Sequence, residues 1–171
     1  MKAVVIYESL TGNTRKAAAY IAGGLEAGGI ATTVCPITDI NYAALSEAEL
    51  VVVGTWTDGI IIAGQRPGRA GRLKKMPSLT GKWCVVYATY AIDAGKVLHK
   101  LARMLEDLGA EVLGGDVIRR DKIEAGSRRL VDQVLAAVPV RPPWDPSTTT
   151  RRVSWPPPSG RPRAQPTRLS G

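Results

Sequence analysis

The chain has little with which to build a metal site. It has two cysteines and one histidine, and these do not cluster. A structural zinc site needs about four Cys or His ligands at close spacing, so none is encoded. Cys35 and Cys84 lie in strand-like apolar runs and read as buried, reduced thiols that pack as small hydrophobes. His99 stands beside Lys100 and Arg103, off the apolar helical face of Val97, Leu98, Leu101, Ala102, Leu105 and Leu108, and reads as solvated and non-catalytic. No apolar run approaches the roughly 18 residues of a membrane span. A strand pattern begins directly after Lys2, without a signal-peptide pattern, so a cytoplasmic protein is expected.

Acidic residues are also scarce, 15 against 23 basic, for a net charge of +8. The surplus is uneven. Residues 1–138 hold 17 Lys/Arg and 14 Asp/Glu, a balance of +3, whereas residues 139–171 hold six Arg and one Asp, a balance of +5. A folded part at +3 gives no ground for nucleic-acid binding. Nine of the twelve prolines fall in residues 139–171, mixed with Arg, Ser and Thr. Such a segment buries too little apolar surface to offset its ordering entropy. The expected organisation is therefore one domain over 1–138 and a Pro/Arg-rich, disordered tail over 139–171. Two readings of the tail stay open: a solvated extension without a role, or a basic or Pro-rich contact segment around Pro156–Pro158.

What the chain does have is regular alternation. Apolar strand runs are read at Lys2–Tyr7, Ala31–Cys35, Leu50–Gly54, Lys82–Ala88 and Ala110–Ile118. Helical patterns are read at Asn13–Ala27, Gly95–Leu108 and Ile123–Val138, the second capped by Asp93, with a short helical turn in the connector Asp39–Leu45. This alternation predicts a three-layer, doubly wound α/β fold on a five-stranded parallel sheet. Ligands of such folds sit beyond the carboxyl ends of the strands, where Ser9–Thr14, Thr55–Gly64 and Thr89–Gly95 should converge.

The first of these stretches, Ser9-Leu10-Thr11-Gly12-Asn13-Thr14, lies between a strand and a helix start. A helix start offers unpaired N–H groups and the positive end of the helix dipole, a ready anion site. Gly12 permits close approach or a positive φ, and the hydroxyls of Ser9, Thr11 and Thr14 add donors.

This strand, Ser-x-Thr-Gly-x-Thr loop and helix resemble the phosphate loop of the flavodoxin family, which binds flavin mononucleotide (FMN). Thr55-Trp56-Thr57-Asp58, followed by Gly59, is similar to the family's loop that stacks an aromatic ring on the flavin. Thr89-Tyr90-Ala91 corresponds to its second flavin-contacting loop, with Tyr90 as the second aromatic face. The resemblance spans residues 2–138 and implies a sheet order of 2-1-3-4-5, the order the general rule gives for flavodoxin itself. It also implies FMN as cofactor and Ser9–Thr14, Thr55–Gly59 and Thr89–Ala91 as its contacts.

Two stretches depart from the family pattern. Thr57 stands where many flavodoxins have glycine, and a β-branched residue opposes the backbone flip by which they hydrogen-bond reduced flavin. Residues 60–77 replace a full helix with a Gly- and Pro-interrupted segment, allowing at most a short helix over Arg69–Lys75. Its Arg66, Arg69, Arg72, Lys74 and Lys75 form a basic rim suited to an acidic redox partner or an anionic nicotinamide dinucleotide, or merely a solvated connector. Ile60–Ile62 would serve as a flap over the flavin or as strand-end packing. The implied function is an FMN-binding electron carrier, monomeric or weakly dimeric, working with redox partner proteins. An FMN-dependent NAD(P)H or quinone reductase stays open as an alternative, and a non-redox module on the same fold as another. A receiver module is disfavoured because Gly54-Thr55-Trp56 stands where that fold needs an aspartate.

Overall fold

A computed structural model describes residues 1–58 and 66–138, with Asp58 and Arg66 described in their backbone only. Gly59, the Ile60–Ile62 flap and the 139–171 tail fall outside the described residues. The elements in order are β1 (Lys2–Tyr7), α1 (Asn13–Ala27), β2 (Ala31–Pro36), α2 (Tyr42–Glu47), β3 (Leu50–Asp58), β4 (Arg66–Pro67), α3 (Ala70–Leu73), β5 (Trp83–Tyr90), α4 (Val97–Glu106), β6 (Glu111–Arg119) and α5 (Ile123–Ala137).

The five long strands form a parallel sheet in the order β2-β1-β3-β5-β6. Counting only these strands, the order is the expected 2-1-3-4-5. Strand side chains alternate between faces. Ala3, Val5, Leu50, Val52, Val85 and Tyr87 pack with α1 and α5 on one face. Val4, Ile6, Val51, Val53, Cys84 and Val86 pack with α2, α3 and α4 on the other. Both thiols are free and buried, and burial pushes the Cys84 thiol up to about 12.

The elements differ from the sequence expectation where the site begins. β3 continues to Asp58 and β5 to Tyr90, four and two residues past the expected ends. The reason is pairing: Trp56 opposes Thr89 and Tyr90 opposes Arg119, so the ladder holds these residues extended. The two-residue β4 also pairs antiparallel with the end of β3, matching Thr57 with Pro67 and Asp58 with Arg66. Asp93 does not cap α4, which starts at Val97; its Oδ1 accepts from the Gly95 N–H at 3.1 Å and closes a local turn instead. The segment that replaces the third crossover helix keeps a single turn, α3.

Candidate functional site

The phosphate loop is assembled at the carboxyl end of β1. Gly12 is the residue before α1 and has φ 90°, a left-handed conformation that glycine reaches without strain. A Cβ added there would meet nothing within 4 Å, so the turn faces open space. No side chain caps the helix and its first turn holds no acid. The N–H groups of that turn are thus left for a ligand. Ser9 Oγ accepts from the Gly12 N–H at 3.1 Å and keeps its own proton to donate. Thr11 is exposed, and its Oγ1 accepts from Asn13 Nδ2 at 3.1 Å, again leaving its proton outward. Thr14 differs from expectation. It is buried with Oγ1 2.9 Å from Thr89 Oγ1, so its hydroxyl ties α1 to β5.

The loop rests on a buried tyrosine. Tyr87 Oη donates to the Thr14 carbonyl at 3.0 Å. Complete burial raises its pKa well above the ordinary tyrosine value, which keeps the phenol a donor. Its ring occupies the space over Gly54, where a Cβ would lie 1.9 Å from the ring.

The aromatic platform is built at the end of β3. Trp56 is half-buried, and Gly68 passes so close that a Cβ there would fall 2.2 Å from the indole. The Gly68 N–H donates to the Trp56 carbonyl at 2.8 Å, and Thr55 Oγ1 donates to the Gly68 carbonyl at 3.0 Å. Thr55 is therefore a buried support and not an exposed contact. Arg69 lies over the indole, its guanidinium carbon 5.7 Å from the ring centroid, within cation–π range. Arg69 is also the one non-glycine residue with positive φ among the described residues, at 48°.

That conformation serves a second contact. Glu8, the residue between β1 and the phosphate loop, is buried. Arg69 and Arg72 each donate to one of its carboxylate oxygens at 3.1 Å. A buried carboxylate is tolerated only when paired and hydrogen-bonded. Two of the expected rim cations thus neutralise an internal charge, and they bind the platform segment to the phosphate loop. Lys74 and Lys75 are exposed. The side chain of Arg66 lies outside the described residues.

Leu10, Thr11, Asn13, Trp56, Thr57, Thr89, Tyr90, Ala91 and Arg120 line a cleft of about 110 Å³ between these parts. It brings together members of all three expected loops. Arg120 is an addition to the expected set; its backbone N–H donates to the Tyr90 carbonyl at 2.9 Å, which fixes it at the rim. No signal in the sequence separates Arg120 from its neighbours Arg119 and Lys122. Glu8 had a weak one, as the lone acid beside the loop, but its partners are 61 and 64 residues away.

These residues fit FMN. The left-handed glycine and open helix start suit a phosphate, and Trp56 and Tyr90 both line the cleft in which a flat ring would lie. Thr57 Oγ1 is buried without a hydrogen-bond partner among the described residues. Such an orphan costs about 1–3 kcal/mol, and the heteroatom edge of a flavin would satisfy it. Bound FMN supplies reversible uptake and release of electrons. The protein's share would be to hold the phosphate at residues 9–14, flank the ring and exclude water around it.

Comparison with known proteins agrees. The flavodoxin domain family model matches residues 4–136. A flavodoxin from the domain Archaea is 20% identical, with TM-score 0.56 over 78% of this chain and 99% of that one. A Streptococcus pneumonia flavodoxin is 23% identical, with TM-score 0.58 over 78% of this chain and 100% of its own. A Pseudomonas aeruginosa flavodoxin, solved as a cysteine-to-serine mutant, reaches TM-score 0.62 at 15% identity, covering 80% and 97%. These solved structures share the fold, and the family model covers most of the chain. The chain belongs to the flavodoxin domain family, FMN-binding proteins of electron transfer.

Proposed function

We propose that this protein is an electron carrier that shuttles electrons between redox proteins, and not a reductase with its own small-molecule substrate. One observation carries this reading. Among the described residues lining the cleft there is no carboxylate, histidine, lysine or thiol. A reductase that protonates a bound substrate gains from a positioned acid or base, and Tyr90 is the one candidate for that role among these described residues. A carrier needs only a held and tuned flavin. The rival reading looks to the 66–75 segment for a nicotinamide platform. Arg69 and Arg72 of that segment are engaged by Glu8, which weakens it. Residues 1–138 make up the functional unit on this reading, it works in the cytoplasm, and its partners present acidic surfaces.

Mixing the FMN-loaded protein with NADH or NADPH while following the visible flavin band tests the assignment. A carrier keeps its colour until a separate reductase is added. Direct bleaching at enzymatic rates would overturn the reading in favour of the reductase.

A further inference from the structure

Both flanks of the flavin cleft carry basic residues, and on one of them two arginines are committed inward while Lys74 and Lys75 stay exposed. On the flank of β4 and α3, Arg69 and Arg72 point inward to Glu8. On the opposite flank a groove of about 490 Å³ runs between the first turns of α1 and α5. Lys16, Tyr20, Arg120, Lys122, Glu124 and Arg128 are among its walls. Its two acids are already matched: Asp121 pairs with Arg119 at 2.8 Å and Glu124 with Arg128 at 3.2 Å. Lys16, Arg120 and Lys122 have no carboxylate within ion-pair distance among the described residues, and all three are exposed. Arg120 belongs to both the groove and the flavin cleft. A partner seated in the groove therefore reaches the edge of the site where electrons enter or leave.

We propose that the α1/α5 groove is the docking site for the redox partner, and that the partner inserts a carboxylate-rich surface segment onto Lys16, Arg120 and Lys122. This rests on the carrier reading above. Charge complementarity selects the occupant. Three uncompensated cations around one concavity focus a positive potential, and such fields steer acidic proteins and raise association rates by roughly 10–1,000-fold at low ionic strength. The folded part is only +3 overall, and the +5 of residues 139–171 is common to every variant compared below, so a difference between variants reports on this face.

The test uses the full chain saturated with FMN and a chemically reduced, acidic 2Fe–2S ferredoxin as donor. Two ferredoxins each give up one electron, and one FMN takes both, with protons from solvent. Stopped-flow rates are measured against ionic strength for the parent, K16Q/K122Q and K74Q/K75Q. K16Q/K122Q should slow reduction about tenfold at low salt, with the difference vanishing at high salt. K74Q/K75Q should stay within about twofold of the parent. Illumination with a deazaflavin and EDTA as sacrificial electron donor, which needs no docking, should reduce all three alike.

An unchanged rate in K16Q/K122Q, with deazaflavin reduction intact, would overturn the docking site and leave the carrier reading standing. So would a larger effect of K74Q/K75Q. Direct bleaching of the parent by NADPH, with no electron uptake from ferredoxin, would sink the carrier reading and the docking site together. In backbone amide NMR, poly-L-glutamate should shift the signals of residues 16 and 120–122. If NADP⁺ shifts them and poly-L-glutamate does not, the groove is a nucleotide site and the proposal fails.

Discussion

The cleft has two rims, and they use basic side chains for opposite purposes. On the β4/α3 rim, arginines reach inward to a buried carboxylate and over an indole, and become part of the scaffold. On the α1/α5 rim, Lys16, Arg120 and Lys122 face solvent without a carboxylate partner among the described residues. Glu8 makes the difference. It sits at the base of the phosphate loop, with its backbone N–H bonded to the Gly54 carbonyl at 2.8 Å, and its burial demands counter-charge from whatever segment passes above it. The segment that passes is the one that replaced a full crossover helix. With one helical turn among its described residues, it is held by side chains: two arginines on Glu8, Gly68 against Trp56 and Thr55 on the Gly68 carbonyl. A basic run in a sequence thus says nothing of accessibility until the acids behind it are known.

The comparison breaks most readily through stability. Removing both arginines, R69A/R72A, strands Glu8 as an unpaired buried charge and should cost about 3–5 kcal/mol in urea unfolding. The matching change on the other rim, K16A/K122A, removes solvated charges and should stay within about 0.5 kcal/mol. Equal losses on both rims would erase the distinction.

The next effect is on cofactor affinity. Thr11→Val removes an outward hydroxyl at the phosphate loop and should weaken FMN by about 1.5–3 kcal/mol, the worth of one charge-assisted hydrogen bond, while leaving riboflavin affinity nearly unchanged. Fluorescence titration with the two flavins separates phosphate from ring contacts. Thr14→Val should fail this selectivity, because its hydroxyl meets Thr89.

Gly68→Ala sharpens the comparison from inside the scaffold rim. Its methyl would collide with the indole, so Trp56 must shift; FMN and riboflavin should weaken together, by about 1–3 kcal/mol, with a changed indole emission in the apoprotein. Smaller still is Glu8→Gln. The arginines it releases are about half-exposed and can be hydrated, so about 1 kcal/mol of stability is lost, well below the double arginine variant. Deleting residues 139–171 should leave FMN affinity unchanged, since the described residues that line the cleft run from Leu10 to Arg120.

Thr57 shows how the structure strengthens an expectation from sequence. A β-branched residue there already opposed the family's backbone flip. The ladder adds a second obstacle, because Thr57 is paired with Pro67 and flipping would break the β3–β4 contact. Reductive titration should pass from oxidised to fully reduced flavin without a long-wavelength absorbing stage. Strong accumulation of one would show that the flip occurs elsewhere.

Much of the molecule was legible in the order of its residues. Continuous apolar runs of strand length, with helical stretches between them, pointed to the parallel sheet, because a strand buried on both faces and an amphipathic helix hide their surface in that arrangement. Leu10, Thr11, Asn13 and Trp56 could be read from the sequence as lining one cleft, because a helix start and a tryptophan at a strand end carry their chemistry locally. Strand ends were not legible where pairing with a distant neighbour, not local propensity, keeps the chain extended, as at Trp56 and Tyr90. Nor were the roles of Glu8, Arg69, Thr14 and Arg120, because each depends on a partner distant in the chain. The sequence by itself determined the sheet, its helices and the place of the Ser9–Thr14 stretch between β1 and α1, all set by short-range patterning. Only the tertiary structure decided which cations hold the scaffold and which face a partner, because a charge is committed by what is buried beside it.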